Sequence, residues 1–319
     1  MVAVTSCNSD VLVPTVNPIL PSDFDWSVQA SGTTEDLTDI HFTNSSTGWV
    51  VGNQVVLATS NGGSSWPVPP ADSTSILPKQ INSVFFINNE KGWLAGSMND
   101  GTSGEIFITQ QGGAYPILQD TFVHSLNTIF FLDPANGWAA GENGDVVTTK
   151  DGGSTWNNLT NINSEVFDLH FTTKKKGWLV GSGGALYHTV DGVNFQQADI
   201  GITTRIEAVH FTDTLNGWAC GNKNTILRRH MSDQNEPVWS SVVITDISVI
   251  TEWIDIHFID QLNGWVVSSE GKIYRTADGG ANWVNETTAA SGELNAIHMI
   301  SHTKGWVAGN NGLILTYTP

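Results

Sequence analysis

Basic residues are scarce in this chain: 13 Lys and Arg stand against 31 Asp and Glu in 319 residues, a formal net charge of −18. That balance leaves no electrostatic footprint for nucleic acid or an anionic membrane surface, and it disfavours a polyanionic ligand. Cysteine is rarer still, with only Cys7 and Cys220, so there is no disulfide framework. No run of 18 apolar residues occurs, and none of the sequence reads as a membrane-spanning helix. Spacings that would mark a metal site are also missing, and no cofactor is expected.

Tryptophan, by contrast, is in excess. There are 13, and seven of them follow glycine: Gly48-Trp49, Gly92-Trp93, Gly137-Trp138, Gly177-Trp178, Gly217-Trp218, Gly264-Trp265 and Gly305-Trp306. A repeat of about 40–45 residues holding several short strands is the signature of a β-propeller blade. Each unit opens on a strand with apolar and aromatic ends: Leu37 to Phe42, Ile81 to Phe86, Leu126 to Phe131, Val166 to Phe171, Ile206 to Phe211, Trp253 to Phe258 and Leu294 to Met299. The Gly-Trp strand follows, then a β-branched third strand, with glycine turns that favour antiparallel hairpins. An aromatic marks the fourth strand at Trp66, Tyr115, Trp156, Phe195, Trp239 and Trp283. The seventh unit ends at Pro319 without one, and Trp26 supplies it. The sequence therefore predicts an all-β, seven-bladed propeller of four-stranded antiparallel blades, closed when residues 24–30 complete the last blade and remove an exposed edge.

Residues 1–23 lie outside the repeat, and their prolines favour an extended arm before a propeller spanning 24–319. Val4-Thr5-Ser6-Cys7 resembles the end of a bacterial lipoprotein signal, which would make Cys7 a lipid anchor. The simpler reading is an extended arm with an incidental cysteine. Cys220 takes a slot filled elsewhere by Val51, Ala95 or Ala140, so a buried small hydrophobe unbonded to Cys7 is expected. The fifth unit departs from the pattern. Its third strand runs into a polar stretch, Arg228 to Pro237, which reads as a long mobile loop with no turn motif.

The turn Thr-x-Asp/Asn-Gly-Gly-x-x-Trp occurs at Thr59 to Trp66, Thr149 to Trp156 and Thr276 to Trp283. It is similar to the Asp-box, or bacterial neuraminidase repeat. Its acidic residue accepts backbone N–H bonds within its own turn while glycine supplies positive φ, so Asp151, Asp191 and Asp278 read as folding devices. With the Gly-Trp strands, the whole unit resembles the repeat of the photosystem II assembly and stability factor family over residues 24–319. That resemblance implies a seven-bladed propeller outside the cytoplasm that chaperones membrane-protein assembly without catalysis, using surface arginines to bind its partner. This chain has only Arg205, Arg228, Arg229 and Arg275.

Two enzyme readings share such repeats. A sialidase needs an arginine cluster and a tyrosine nucleophile, and Tyr115, Tyr187, Tyr274 and Tyr317 all fall in strand or turn slots. A xyloglucanase-like glycosidase builds its cleft between two propellers, and one is present. Five histidines, His41, His170, His210, His257 and His298, share a repeat position with Phe85 and Phe130. A ring of imidazoles suits metal binding or pH sensing. Its exchange with phenylalanine points instead to an aromatic packing slot.

The residue before each first strand enters beside the channel mouth: Asp36, Gln80, Ser125, Glu165, Arg205, Glu252 and Glu293. The plain reading is a solvated acidic rim. The sharper one is a binding ring of Asp36, Glu165, Arg205, Glu252 and Glu293 that selects a cationic group or basic partner segment. The sequence thus predicts a non-catalytic module binding a protein or glycan partner, located extracytoplasmically (periplasmic, cell-surface or secreted). A carbohydrate-active enzyme and a structural surface or virion appendage are the alternatives.

Overall fold

The computed structural model describes residues 25–71, 79–98, 103–159, 162–232, 234–245, 247, 249–288 and 292–318. The arm of residues 1–23, with Cys7, lies outside them. The described strands form seven antiparallel sheets, six of them running in chain order from the channel outwards. The last sheet joins Leu294–Ser301, Lys304–Gly309 and Leu313–Thr318 to Asp25–Ala30 from the other end of the chain. Trp26 faces Tyr317 in that ladder and Ala30 faces Leu313. The propeller is closed as its aromatic count requires.

The Gly-Trp pair is explained by two contacts. In each of the first six blades the phenylalanine ending the innermost strand lies flat on the glycine of its own second strand. A Cβ at Gly48 would sit 2.4 Å from the Phe42 ring, and one at Gly137 2.5 Å from Phe131. Except in the sixth blade, where Trp265 packs with Met299, the tryptophan beside that glycine points to the next blade and its ring stacks on the equivalent phenylalanine. Trp49 on Phe86, Trp93 on Phe131 and Trp306 on Phe42 have ring centroids 3.4–3.5 Å apart. The outer aromatic closes the same seam edge-on, as Trp156 does against Phe131. One small residue thus lets a ring cover the strand while its neighbour anchors the next blade. Replacing Gly137 by alanine should cost about 3 kcal/mol, since overpacking must push the Phe131 ring out of its seam. Urea denaturation checks this, and a loss below about 0.5 kcal/mol would show the ring free to move.

The Asp-box turns act between blades as well as within them. In the third blade Thr149 donates its hydroxyl to Asp151 at 2.8 Å, the Gly153 N–H donates to Thr149 Oγ1, and the Thr155 N–H donates to Asp151. Those bonds hold the carboxyl down at about 2, with the Thr155 hydroxyl the largest cause. Asp191 is lowered in the same way by Asn194. The turn's glycine carbonyl then accepts the indole N–H of the preceding blade: Trp93 donates to Gly152, Trp49 to Gly112, Trp218 to Gly279 and Trp306 to Gly62.

Two expectations need correction. The first blade is a three-stranded sheet, Leu37–Phe42, Gly48–Gly52 and Val55–Thr59. Trp66 is buried in its slot, and the Ala58 N–H donates to the Pro67 carbonyl. Pro67, Pro69 and Pro70 lack the donors a longer ladder needs. In the fifth blade Arg228–Met231 and Pro237 are not loop. They belong to strands Thr225–Met231 and Pro237–Val242, paired through Met231 and Pro237. The connection is shortened to 232–236, where the Asn235 N–H donates to the Ser232 carbonyl and the Glu236 N–H to the Ser232 hydroxyl. Asn235 takes the positive φ that a tight turn requires. Cys220 is free and fully buried, and burial pushes its thiol well up.

Candidate functional site

The channel is lined by the seven innermost strands, each of which carries the same irregularity. Pairing skips one residue after the first position, between Leu37 and Asp39 in the first blade and between Ile206 and Ala208 in the fifth. Such a bulge leaves the extra residue out of the ladder and re-aims it. The residues so released are Thr38, Asn82, Asn127, Phe167, Glu207, Ile254 and Asn295. All of them line a cavity of about 200 Å³ in the channel.

The ring predicted at the mouth is held from outside by a repeated backbone bond. The amide after each second strand donates to the carbonyl of the ring residue: Asn53 to Asp36, Ser182 to Glu165, Asn222 to Arg205, Ser269 to Glu252 and Asn310 to Glu293. The last glycine of that strand permits the approach, since a Cβ at Gly181 would lie 1.9 Å from the Glu165 oxygen. Ser268 takes this slot in the sixth blade.

The five predicted residues do not act alike. Asp36 accepts the Asn311 N–H at 2.9 Å, and Glu293 accepts from the Asn310 side chain, so both are tied to the hairpin of the closing blade. Arg205 pairs with a residue the sequence reading missed, Glu207, on which Glu165 and Glu252 act through their charge. Burial pushes the Glu207 carboxyl up, Arg205 pulls it down, and Glu252 and Glu165 raise it again. Arg205 Nε is 3.0 Å from Glu207 Oε1 and its Nη2 donates to Oε2 at 3.1 Å. The guanidinium lies 4.2 Å from the ring centre of Phe167. The Glu270 carboxylate, accepting the Glu252 N–H, adds to the acidity on that side. Glu207 reads in sequence as an ordinary strand residue. Only the bulge turns it into the channel.

Deeper in the channel, Asp39, Asp168 and Asp255 each bridge two blades. Asp39 accepts the N–H groups of Ile40 and Val84, Asp168 those of Leu169 and Val209, and Asp255 those of Ile256 and Ile297. Burial raises all three, Asp168 to about 6 and Asp255 to about 8. Below them the predicted aromatic slot closes into an annulus. His41, Phe85, Phe130, His170, His210, His257 and His298 follow one another around the axis at centroid separations of 4.4–5.2 Å. The slot does more than pack: His41 Nε2 lies 3.0 Å from the Phe86 carbonyl of the next blade. Burial lowers His41 and His170 to about 4 and the other three well below their ordinary value.

Among the described residues no group of three His, Cys, Asp or Glu is placed to hold a metal ion, and no helix is long and apolar enough to cross a membrane. Of the arginines, Arg229 donates to the Thr214 and Leu215 carbonyls, and Arg275 is buried beside Glu286.

The sequence matches the family model described as photosynthesis system II assembly factor YCF48 over residues 20–100 and 194–318. No curated protein sequence matches it. Among solved structures the fold is similar to YCF48 bound to D1 peptide, with TM-score 0.76 and 20% identity over 92% of this chain and 95% of that one. YCF48 from Cyanidioschyzon merolae gives TM-score 0.72 and 18% identity over 92% and 99%. The WD40 β-propeller domain of Doa1 gives 0.73 and 13% over 92% and 97%. At these identities the structural likeness is one of fold.

Proposed function

The chain belongs to the photosynthesis system II assembly factor YCF48 family, and on that premise we propose that it is a non-catalytic module, acting outside the cytoplasm, that binds a basic segment of a protein partner across its channel mouth. The observation carrying this reading is the acidic mouth around Glu207, which Arg205 pairs and whose carboxyl is pushed up by burial and by the charges of Glu252 and Glu165. A solved structure of this fold from the same family, YCF48, is bound to D1 peptide, which supports a peptide as occupant. Binding through surface arginines has little to work with in this chain, because Arg229 is spent on backbone carbonyls and Arg275 is buried. An acidic mouth steers a basic segment chiefly through the association rate, which falls with salt.

The test replaces Glu165, Glu252 and Glu293 by glutamine and uses a Gly-Ser dodecapeptide carrying three arginines as probe. Stopped-flow association at low salt should slow about tenfold and lose most of its salt dependence. A triple variant that associates as fast and as salt-dependently as the unaltered protein would reduce the ring to solvated surface.

A further inference from the structure

The bulged channel residues divide the mouth into unlike halves. Around one side they clasp the next blade: Thr38 donates to the Ile81 carbonyl, Asn82 to Leu126, Asn127 to Val166 and Asn295 to Leu37. In three consecutive blades the same position holds Phe167, Glu207 and Ile254, which have no side-chain donor to give. The carbonyls of Ile206, Trp253 and Leu294 therefore lack the clasp their equivalents receive. Glu207 and Glu252 belong to this side, and Glu165 stands at its edge, where it accepts from the Asn127 side chain. This half of the mouth offers acceptors and an aromatic face, with Arg205 paired to Glu207 and two lysines on the flanking hairpins, Lys223 and Lys272, the second donating to the Thr251 hydroxyl.

Arg205 shows what fits there. Its flat guanidinium faces the Phe167 ring and meets both oxygens of Glu207 through Nε and Nη2. A fork matched to a carboxylate and a face matched to a ring select guanidinium over ammonium, whose point charge satisfies neither geometry as well. The two side chains differ in how firmly they are set. Glu207 is 11% exposed, whereas Arg205 is 52% exposed and comes from the rim. An exposed ion pair contributes little, so withdrawing Arg205 is cheap. Leaving Glu207 desolvated and unpaired is not.

We infer that this half of the mouth is a seat for one arginine side chain of the partner, and that Arg205 fills it in the free protein and is displaced on binding. The inference rests on the proposed binding of a basic segment at this mouth. Arg205 is then a built-in competitor. It lowers affinity for basic segments in general and leaves the seat to those that present an arginine with backbone contacts to support it. Beneath the seat the cavity lined by Phe167, Glu207, Ile254 and Asp255 gives the incoming side chain room.

The experiment titrates the full chain with Nα-acetyl-arginine methylamide and with the lysine counterpart, followed by amide chemical shifts in NMR. Arg205→Ala is compared with Lys150→Ala, which makes the same charge change in an exposed turn at the opposite end of the blades, and with Arg205→Ala/Glu207→Gln. The expected result is about a tenfold gain in arginine-probe affinity for Arg205→Ala and little for Lys150→Ala. The lysine probe should gain about threefold at most, and Glu207→Gln should abolish the gain. Equal gains from Arg205→Ala and Lys150→Ala, or equal gains for both probes, would overturn the displaced-arginine seat. If the seat falls while the triple-glutamine variant still slows the dodecapeptide, the acidic mouth stands without it. If neither responds, both fall.

Discussion

A chain lacking residues 1–30 should melt on the order of 10 °C below the full-length protein, whereas a chain lacking residues 1–20 should melt unchanged. Asp25–Ala30 contributes six paired positions to the last blade, and its loss leaves Leu313–Thr318 as an open edge. Trp26 is 3% exposed, its ring 4.8 Å from that of Tyr317. Behind it lies a polar cluster at the seam with the sixth blade. Tyr317 and Trp265 donate to Glu286, and Arg275 Nη1 lies 3.7 Å from the same carboxylate. Removing Trp26 opens that cluster to water and deletes one of the larger apolar contacts of the seam. Truncating such a tryptophan costs about 3–5 kcal/mol by itself. At about 2–4 °C per kcal/mol for a domain of this size or somewhat smaller, the ring alone accounts for the shift. Thermal melting by circular dichroism measures it, and Trp26→Ala serves if the shorter chain aggregates through its open edge. Equal melting temperatures for the 1–30 deletion and the full chain would sink this account of closure.

Stability should peak near pH 7 and fall on the acid side by about 4 kcal/mol per pH unit down to pH 4. Five imidazoles of the annulus are depressed in the folded chain, to about 4 for His41 and His170. Below their ordinary value near 6.5, the unfolded chain binds five protons that the folded chain refuses, and stability drops. Asp39, Asp168 and Asp255 act the other way. Their folded values are raised, so the folded chain holds protons that the unfolded chain has released. Between pH 8 and 7 Asp255, titrating near 8, outweighs the imidazoles of the unfolded chain, and stability should rise gently as pH falls. Between 6.5 and 4 Asp168 and Asp255 offset two of the five imidazoles, and Asp39 acts in the same sense, which leaves a net uptake of about three protons on unfolding, each worth about 1.4 kcal/mol per pH unit. His170→Phe, which copies the residues at Phe85 and Phe130, should reduce the acid slope by about one proton. Urea denaturation at pH 7.5, 6.5, 5.5 and 4.5 reads these slopes. An unchanged slope in the variant would place the acid loss outside the annulus.

Much of this molecule is legible in one dimension because a propeller blade is a local object. The Gly-Trp pair, the Asp-box turn and the aromatic of the outer strand each act within about 40 residues, so seven copies fix seven blades, and the missing seventh aromatic assigns Trp26 to the closing strand. That the residues before the first strands occupy equivalent positions is equally legible, since the repeat itself aligns them. What happens between blades is not. Asp36 and Glu293 look like Glu165 and Glu252 in the repeat, yet the closing hairpin at Asn310 and Asn311 engages both. Glu207 and Phe167 look like ordinary strand residues until a bulge turns them inward beside Arg205. Trp66 carries the mark of a fourth strand, but the prolines after it remove the donors. Repeat position decides where a side chain starts. Its partner is decided by which donors and acceptors the neighbouring blade leaves unpaired, and only the assembled ring brings those groups within reach.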